Sequence, residues 1–249
     1  MKVVDAVWEK RNLGVNTLEI TLEKMDEGKS CEILKADIER IIEEKKAEYV
    51  VCKIPASIVL YASMIGKLGF TFIESQFSIN GGFSKALEVV DQPIYKRKDI
   101  ECIRDNSSIS FNKVKSLLLE GMFDTDRVAL DEKFGVKIAN TRYLNWINDI
   151  EKTESKDLCI VTYKNEVIGF LLGQSDGDLL KLPLGGVAKK YKSAFGGLVY
   201  GLCFSSFSKN YKRLETSFSS NNLGIVNLYS YFGFPIREIT YVFTKHIKR

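Results

Sequence analysis

The amino-acid sequence predicts an α/β (α+β) protein, and three observations support that class. Amphipathic helical patterns alternate with short apolar runs along the first 80 residues, as they do where helices pack on a sheet. Between residues 158 and 187, three apolar runs follow one another through short polar turns, which is typical of antiparallel hairpins. The chain has 249 residues, of which 45% are hydrophobic and 27% charged, so it is long enough for one large core or two small ones.

The first part of the chain alternates strand and helix. Its predicted elements are a strand over 16–24, a helix over 31–47, a strand over 48–56, a helix over 57–70 and a strand over 71–80. The second helix ends at Gly69, because glycine closes a helix at little conformational cost. A polar, proline-containing stretch near residues 90 to 98 predicts a linker. We therefore expect a smaller α/β domain over residues 1–95 and a second domain over 96–249.

The second part begins with the run IECIRD, a helix near 109 to 121 and a loop. Tyr143, Trp146 and Ile147 then share one face of a further helix. The short turns KNE and SDGD separate the three hairpin strands. The remaining predicted elements are, in order, a helix over 139–152, strands over 158–165, 166–175 and 178–187, a helix over 195–210, a strand over 213–220, a helix over 222–234 and a strand over 238–247.

A short internal similarity links the two parts. KLGFTFIESQF in the first part and YFGFPIREITY in the second match at one offset without a gap. The matched pairs are Gly69 with Gly233, Phe70 with Phe234, Glu74 with Glu238 and Phe77 with Tyr241. A helix that stops at glycine and turns into a strand is a common unit, so chance is one interpretation. The other is that the first domain is a degenerate partial copy of the second.

Composition argues against several classes of function. The net charge of +4 is spread along the chain, and runs such as EKKAEYVV alternate in sign, so nothing resembles a nucleic-acid-binding stripe. His246 is the only histidine, which argues against a Ser-His-Asp triad and against a multi-histidine metal site. The mild basic excess suits an anionic small molecule instead.

Cysteine usage predicts a reducing, cytoplasmic setting and no metal site. The five cysteines lie in separate apolar runs without a CxxC pair, where a free cysteine behaves as a small hydrophobe. The N-terminus has no apolar signal core. The longest uncharged stretch, between Lys192 and Lys209, falls short of the roughly 20 apolar residues that a membrane span needs, so no span is expected. Homodimer formation is left open.

The segment VAKKYKSAFGG, residues 187–197, joins a predicted strand to a predicted helix. The first amides of a helix have no internal partners, and the helix dipole makes that end positive. Gly196 and Gly197 would let a pyrophosphate approach the backbone, and Lys190 and Lys192 could add positive charge. The segment is therefore either a solvated turn or a phosphate cradle.

Two motifs in this region resemble the GNAT superfamily of N-acetyltransferases. The family pattern V-x-x-x-Y-[RQ]-x-x-G-x-[GA] is matched at Val187, Tyr191, Lys192 and Gly197, with lysine at the Arg/Gln position and Phe195 at the first glycine. The second family pattern, N-x-x-A-x-x-L-Y-x-x-x-G-F, appears here as NLGIVNLYSYFGF. Its matching positions are Asn222, Ile225, Leu228, Tyr229, Gly233 and Phe234. The two motifs occur in the family's order and at its spacing.

The likeness extends to the acetyltransferases that act on TDP-fucosamine and their relatives. WEKRNLGVNTLEI near the N-terminus is similar to their W-[DE]-S-x-F-F-G opening. The stretch from residue 126 to 149 is similar to a second segment of those enzymes, which also carry a smaller N-terminal domain. Its matching residues are Arg127, Asp131, Phe134, Ala139, Tyr143, Trp146 and Ile147.

The resemblance implies a GNAT fold with a mixed central sheet, preceded by a smaller α/β domain that resembles a partial GNAT unit. It implies acetyl-CoA as the acyl donor and direct transfer to a primary amine, such as that of a nucleotide-linked amino sugar. Tyr229 falls where the family places the acid that protonates the departing thiolate. The implied cofactor-binding residues are Leu184, Gly185, Val187, Lys192, Ser193, Ala194, Phe195, Gly196, Gly197 and Asn222. Paired Gly185 and Gly186 are consistent with a bulge that splays this strand from its neighbour.

Several residues keep two interpretations. Tyr229 is either the acid or core packing, and Asn222 caps a helix, contacts cofactor, or does both. No general base is identified: Asp176 and Asp178 suit a solvated turn, Asp131 and Glu132 could pair with Arg127, and His246 suits a strand. Trp8, Tyr143 and Trp146 either stack on a sugar or base or pack between domains. The acceptor could also be an amino acid or another small amine. A non-catalytic acyl-CoA-binding module is the alternative function.

Overall fold

A computed structural model describes residues 1–248, apart from the side chain of Met25. The strands are β1 (Lys2–Asp5), β2 (Thr17–Thr21), β3 (Tyr49–Pro55), β4 (Thr71–Gly82), β5 (Ile100–Arg104), β6 (Lys156–Tyr163), β7 (Glu166–Asp176), β8 (Leu179–Val187), β9 (Arg213–Ser219) and β10 (Ile236–His246). The helices are α1 (Val7–Leu13), α2 (Cys31–Glu44), α3 (Val59–Lys67), α4 (Ser84–Val90), α5 (Ser108–Leu119), α6 (Gly135–Glu151), α7 (Lys192–Phe207) and α8 (Leu223–Tyr231).

The α/β prediction is confirmed, and the predicted strands and helices lie within a few residues of the observed ones. Gly69 has a φ of 79°, in the left-handed region that favours glycine at a helix end. Four elements were not predicted: the four-residue strand β1, the five-residue strand β5 and the seven-residue helices α1 and α4. They are too short for a hydrophobic period to repeat, so the sequence pattern carries little signal for them.

The strands form one mixed sheet in the order β1-β2-β3-β10-β4-β9-β8-β7-β6-β5. The pairs β2–β3 and β8–β9 are parallel, and the other neighbouring pairs are antiparallel. The last strand, β10, lies between β3 and β4 of the first part. The two predicted segments of the chain therefore share a single sheet.

The stretch near residues 90 to 98 differs from the linker that the sequence predicts. Its residues Pro93–Tyr95 form a turn of 3-10 helix. The Tyr95 side chain is only 8% exposed and belongs to the core around α7, with its ring 6.4 Å from that of Phe232. Proline and charged neighbours gave the stretch a linker-like composition, although one buried aromatic side chain fixes it to the core.

The internal similarity extends beyond the eleven residues of the sequence match. The offset between the matched motifs is 164 residues (233 − 69). At this offset β3 (Tyr49–Pro55) corresponds to β9 (Arg213–Ser219), and α3 (Val59–Lys67) corresponds to α8 (Leu223–Tyr231), end to end without a gap. The strand–helix–strand unit β3-α3-β4 is thus repeated as β9-α8-β10.

The two units are related by an approximate two-fold axis in the sheet. Gln76 of β4 pairs directly with Thr240 of β10, its counterpart at the same offset. On either side, β10 pairs antiparallel with β3, and β4 pairs antiparallel with β9. Each unit therefore receives the final strand of the other, which explains why the C-terminal strand lies inside the first part of the sheet.

Helices cover both faces of the strands β5–β9. Alternate residues of β6 point to opposite faces, as the period of two in a strand requires. Cys159 and Val161 join a core with α4, α7 and α8, whereas Leu158 and Ile160 join a core with α5 and α6. Among the helices of residues 1–248, none combines the length and apolar composition needed to cross a membrane.

Candidate functional site

An opening in the sheet lies between β8 and β9. Their parallel pairing covers only Leu179–Lys181 against residues 213–215. Just beyond it, the Thr216 hydroxyl donates a hydrogen bond of 2.6 Å to the carbonyl of Leu182. Beyond these residues β8 and β9 do not pair with each other. The backbone groups of β8 that face β9 from Leu184 onward are therefore free to bind a ligand.

The expectation of a bulge at Gly185 and Gly186 is wrong, although the strands do diverge. The irregularity in β8 falls earlier, between the pairs Leu172–Leu184 and Gln174–Lys181. The two glycines have a packing role instead, because a Cβ at Gly185 would overlap Leu171 and one at Gly186 would overlap Met122. They let the Leu171 and Met122 side chains lie against the backbone of β8 beside the opening.

A cavity of about 330 Å³ lies between the end of β8, the start of α7 and α8. We call it the α7 cavity. Seven of the predicted cofactor-binding residues line it: Gly185, Val187, Lys192, Ser193, Gly196, Gly197 and Asn222. Leu184 lines an adjoining cavity, described below. The Ala194 side chain is exposed and Phe195 faces elsewhere, so only their backbone amides remain candidates for ligand contact.

Phe195 leaves the α7 cavity open. Its ring lies 5.0 Å from that of Tyr163 and 5.5 Å from that of Tyr191, on the side of α7 away from the cavity. Arg97 lies over the same ring at 5.6 Å. The phenylalanine that replaces the family's first glycine therefore extends the aromatic packing beneath the helix and does not block the cavity.

The N-terminus of α7 is suited to bind an anion. The helix starts at Lys192, and Tyr191 at the N-cap supplies no side-chain hydrogen bond to the first turn. A 3-10 turn over Lys189–Tyr191 precedes the helix, and the amide of Lys192 donates a hydrogen bond to the carbonyl of Lys189. The amides from Ser193 onward have no side-chain cap, and the helix dipole adds positive potential. Lys192 lines the cavity, whereas Lys190 forms an ion pair of 2.5 Å with Glu166. The expected contribution of Lys190 to a phosphate site is therefore not seen.

The corresponding helix of the first part, α2, has a capped N-terminus. The Ser30 hydroxyl accepts a hydrogen bond of 3.3 Å from the amide of Ile33, and Glu32 lies in the first turn. Tyr61, which precedes Ile225 of the α7 cavity by the repeat offset, donates hydrogen bonds to the carbonyls of Asp26 and Lys29. A cavity of about 330 Å³ also lies between α2 and α3. The two related helix ends therefore differ in their capping and in the charge of the first turn, because α7 has neither a side-chain cap nor an acidic residue there.

A smaller cavity of about 110 Å³ continues from the α7 cavity through the opening in the sheet. We call it the chamber. The two spaces share Gly185, Tyr200 and Asn222. Polar side chains line the far side of the chamber: Thr125, Asp126, Tyr143, Ser217 and Ser219. A ligand can therefore extend from the N-terminus of α7 to a polar enclosure on the other face of the sheet.

Tyr229 of α8 lines the chamber. Its ring stacks on Phe218 at 5.0 Å with an interplanar angle of 9°, which fixes its orientation. Burial raises the pKa of Tyr229, so its hydroxyl stays protonated and can donate a proton. Asn222 accepts a hydrogen bond of 3.2 Å from the amide of Ile225, which caps α8, and it lines both cavities.

A buried charge cluster lies behind the chamber. Arg127 donates hydrogen bonds to Glu9 at 3.2 Å and to Glu19 at 2.9 Å. Arg142 binds Glu9 at 2.8 Å, and Lys53 binds Glu19 at 3.1 Å. The sequence did not point to these carboxylates, because they come from α1 and β2, more than a hundred residues before Arg127.

The expected pairing of Asp131 with Arg127 is wrong. Asp131 binds His246 at 2.9 Å, and the His246 ring packs against Tyr49 and Phe134. Glu132 is exposed and forms no ion pair with Arg127. Asp176 and Asp178 pair with surface lysines at 2.7 Å and 2.5 Å outside the chamber. None of these four carboxylates lines either cavity.

An open groove of about 470 Å³ runs between α1 and α6, next to the chamber. Trp8 and Trp146 line it at 46% and 37% exposure, together with Arg11. Tyr143 lies beneath, stacked on Trp146 at 6.2 Å, and its hydroxyl donates a hydrogen bond of 2.7 Å to Asp126 of the chamber. Trp146 is therefore partly covered by Tyr143 and by Arg142, which lies over its ring at 5.9 Å, whereas nearly half of the Trp8 side chain is exposed.

Three cysteines that the sequence places far apart meet in the core. The Sγ atoms of Cys102, Cys159 and Cys203 lie within 4.8 Å of one another, and those of Cys102 and Cys159 are 3.1 Å apart. Neighbouring strands β5 and β6 and the overlying helix α7 contribute one residue each. Their spacing in the sequence gave no sign of this cluster.

Comparison with known proteins establishes the fold. No protein-family model and no curated protein matches the chain. A functionally unknown conserved protein from Staphylococcus epidermidis is 14% identical with a TM-score of 0.63, covering 94% of this chain and 85% of that one. A GCN5-related N-acetyltransferase from Sphaerobacter thermophilus is 14% identical with a TM-score of 0.62, covering 100% and 76%. A tandem GNAT protein from the clavulanic acid biosynthesis pathway is 11% identical with a TM-score of 0.56, covering 95% and 77%.

These likenesses show that the chain has the GNAT fold, as the sequence motifs predicted. The match to a tandem GNAT protein agrees with the repeated strand–helix–strand unit described above. None of the three proteins is described as acting on a nucleotide sugar. The likeness to the TDP-fucosamine enzymes therefore rests on the sequence motifs alone.

Proposed function

We propose that this protein is an acetyl-CoA-dependent N-acetyltransferase that passes the acetyl group directly to the primary amine of a small acceptor. The observation that carries the proposal is the pair of adjoining cavities between the N-terminus of α7 and Tyr229, which share the lining residues Phe123, Gly185, Tyr200, Asn222 and Ile225. One end of this pair suits a diphosphate, and the other end suits a polar reacting group.

Each part of the site has one task in this proposal. The amides of the first turn of α7, with Lys192 and Ser193, bind the diphosphate. The free edge of β8 from Leu184 to Val187 binds the pantetheine arm, and its donors near the thioester oxygen stabilise the developing oxyanion by ~3 kcal/mol. Tyr229 donates its proton to the departing thiolate. Asn222 holds the start of α8, which positions Tyr229.

The diphosphate site predicts the effect of Ser193→Glu. An acidic residue in the first turn stabilises a helix, so the fold is retained, but its charge repels a phosphate at the same place. We expect the affinity for acetyl-CoA to fall at least about fivefold, because a like charge beside a bound anion costs upward of ~1 kcal/mol. Calorimetric titration of the purified protein with acetyl-CoA measures this.

Ser108→Glu is the matched control for that experiment. It makes the same change at an exposed position in the first turn of α5, outside both cavities. The control should bind acetyl-CoA as the unaltered protein does. Equal affinity in the Ser193→Glu variant would show that the N-terminus of α7 does not hold the diphosphate.

We further propose a nucleotide-linked amino sugar as the acceptor. The chamber has room for the amine-bearing end only, and the groove between α1 and α6 offers the exposed indole of Trp8 and part of that of Trp146 for the rest of such a molecule. Arg11 of the groove is paired with Asp149. A panel with a TDP-linked amino sugar, glucosamine, lysine and putrescine tests this choice through the release of free CoA thiol. Faster turnover of lysine or putrescine would assign an amino acid or a simple amine instead.

Trp8→Ala tests the groove. An aromatic ring stacked on a nucleotide base contributes ~1–3 kcal/mol, so the KM for a nucleotide-linked acceptor should rise about tenfold while kcat changes little. Steady-state kinetics with the TDP-linked amino sugar measures both constants. Val7→Ala, at a 73% exposed position on the same helix, is the control. An unchanged KM in the Trp8 variant would exclude the groove from acceptor binding.

The alternative function is a non-catalytic acyl-CoA-binding module. Lys192 at the position where the family has Arg or Gln favours it. Such a module binds acetyl-CoA but releases no thiol with any amine of the panel. The calorimetric and kinetic measurements together therefore distinguish the two functions.

A further inference from the structure

We propose that the first part of the chain completes the acceptor end of the site: Asp126 holds the acceptor's ammonium group, and Glu74 takes its proton through the hydroxyl of Ser219. This inference rests on the proposed function. It assigns the general base that the sequence motifs leave open.

Glu74 is a buried carboxylate with an unexplained free oxygen. It lies on β4 at 4% exposure, and its Oε2 has no hydrogen-bond partner among residues 1–248. An unpartnered polar atom in the interior costs about 1–3 kcal/mol, more if it is charged. Its counterpart in the repeat, Glu238, is exposed on β10, so the repeated unit does not require a buried glutamate at this position.

Strand pairing brings Glu74 to the edge of the chamber. Gln76 pairs with Ser219 at the end of β9, and the amide of Ser220 donates a hydrogen bond of 2.7 Å to the carbonyl of Ser75. Because Glu74 and Gln76 are two residues apart, the side chains of Glu74 and Ser219 lie on the same face of the sheet, and Ser219 also lines the chamber. The Ser219 hydroxyl lowers the pKa of Glu74, and it accepts a hydrogen bond of 3.2 Å from the amide of Asn221. A single hydroxyl group thus connects the free carboxylate to the space in which the amine would bind.

The charges around Glu74 favour a cation in the chamber. Arg127, Lys53 and Asp126 are the charged groups that act on it. With their partners they form a set of four carboxylates, from Glu9, Glu19, Glu74 and Asp126, and three cations, from Lys53, Arg127 and Arg142. The set has one excess negative charge when all its carboxyls are ionised, and an acceptor ammonium group would balance it.

The Asp126 carboxylate is held in place for this role. Its Oδ1 accepts a hydrogen bond of 2.8 Å from the amide of Ala129, and its Oδ2 accepts one of 2.7 Å from the Tyr143 hydroxyl. Arg142 is 3.8 Å away, at the limit of an ion pair. Each carboxylate oxygen can accept a further hydrogen bond, so Asp126 can bind an ammonium N–H without losing these contacts.

The size of the chamber limits the acceptor. Its volume of about 110 Å³ is one third of the volume of the α7 cavity, which is about 330 Å³. It therefore has room only for the amine-bearing end of an acceptor. The acceptor's amine must be primary and carried on a narrow carbon, with any bulkier portion outside the chamber.

Two protons leave the acceptor nitrogen, one toward Glu74 and one toward Tyr229. The ammonium group gives a proton to the Ser219 oxygen as Ser219 gives its own to Glu74, and the freed lone pair forms the N–C bond to the acetyl carbonyl. The C–S bond then breaks, and Tyr229 gives its proton to the sulfur. The second nitrogen proton, lost as the amide forms, restores the Tyr229 hydroxyl. Burial and the Asp126 charge raise the pKa of Glu74 against the opposing effect of Ser219 and Arg127, which makes it a stronger base than a surface carboxylate.

Glu74→Gln is the first test, because the amide has the same shape and cannot accept the proton. We expect kcat to fall about 30-fold, less than the usual 10²-fold or more because Asp126 remains. The acidic limb of the kcat/KM profile that follows Glu74 should disappear, while acetyl-CoA affinity by calorimetry stays the same. Glu238→Gln is the control and should match the unaltered protein in all three measurements.

Binding of propylammonium, a narrow primary ammonium ion, tests the site without catalysis. Titration followed by protein chemical shifts should show weaker binding in both Glu74→Gln and Asp126→Asn than in the unaltered protein and the Glu238→Gln control. Equal propylammonium binding in all four proteins would overturn the inference. Failure of acetyl-CoA to bind, with propylammonium binding still dependent on Glu74 and Asp126, would refute the proposed function and leave the ammonium site standing.

Discussion

Tyr229→Phe is expected to lower kcat by about 10²- to 10³-fold and to leave the affinity for acetyl-CoA unchanged. The substitution removes only the hydroxyl, and the ring keeps its stacking on Phe218. Without the hydroxyl, the thiolate must leave unprotonated or take a proton from water. Because burial raises the pKa of Tyr229 above its usual value, kcat should also show no decline from tyrosine ionisation up to about pH 10.

Tyr200→Phe is the matched control for this prediction. Tyr200 is as buried as Tyr229, lines both cavities and packs against the Tyr229 ring at 6.0 Å. Its loss of a hydroxyl should change kcat less than about threefold, since it has no proton-transfer role in the mechanism. Equal rates for Tyr229→Phe and the unaltered protein would make Tyr229 a packing residue only.

Arg127→Met is expected to lower the free energy of unfolding by about 3 kcal/mol. Arg127 is 8% exposed and contacts Glu9, which is fully buried, and Glu19. Removing one partner of a buried ion pair leaves its carboxylates poorly compensated. The expected cost is at the low end for such a change, because Arg142 still binds Glu9 and Lys53 still binds Glu19.

Urea unfolding at neutral pH measures this effect. The control is Arg40→Met, where the arginine side chain is 56% exposed and pairs only with helix neighbours, so its loss should cost less than about 0.5 kcal/mol. Equal stability of the two variants would mean that the buried cluster contributes no net stability.

The same cluster predicts an acid dependence of stability. Burial by itself would raise the pKa of Glu19, but Arg127 and Lys53 hold it below the usual value. A carboxyl with a lowered pKa in the folded state stabilises the protein above its unfolded pKa, and this contribution is lost as the pH falls through the folded value. Stability should therefore decline on acidification, and less steeply in Arg127→Met, where the main attraction is absent.

Most of the secondary structure could be predicted from local pattern, and the strand order could not. Alternating and helical periods identify β2, α2, β3, α3 and β4 because each is decided by neighbouring residues. No local signal says that β10 lies between β3 and β4. The only hint in the sequence was the match of Gly69 with Gly233 and of Glu74 with Glu238. It indicates a repeated unit, and the repeated strands β4 and β10 pair with each other about a two-fold axis.

The two ends of the candidate site also differ in how far the sequence could predict them. The residues at the start of α7 are consecutive, so one motif identified the segment that forms the open helix end. The acceptor end combines Glu74 of β4, Asp126 of a loop and Ser219 of β9, and only the folded sheet brings them together. The motif also could not predict that the Phe195 side chain points away from the α7 cavity, because this depends on which face of α7 packs against Tyr163.

The position of β10 has a consequence for synthesis on the ribosome. When residues 1–95 have emerged, β3 and β4 lack the strand that lies between them, and β4 lacks β9 on its other edge as well. These edges stay open until translation reaches residue 246, the end of β10. Contacts across so long a stretch of chain form slowly, and open strand edges invite pairing with other chains. We therefore expect the nascent protein to expose these edges until β9 and β10 have been made, and a fragment that ends at residue 95 to keep them exposed.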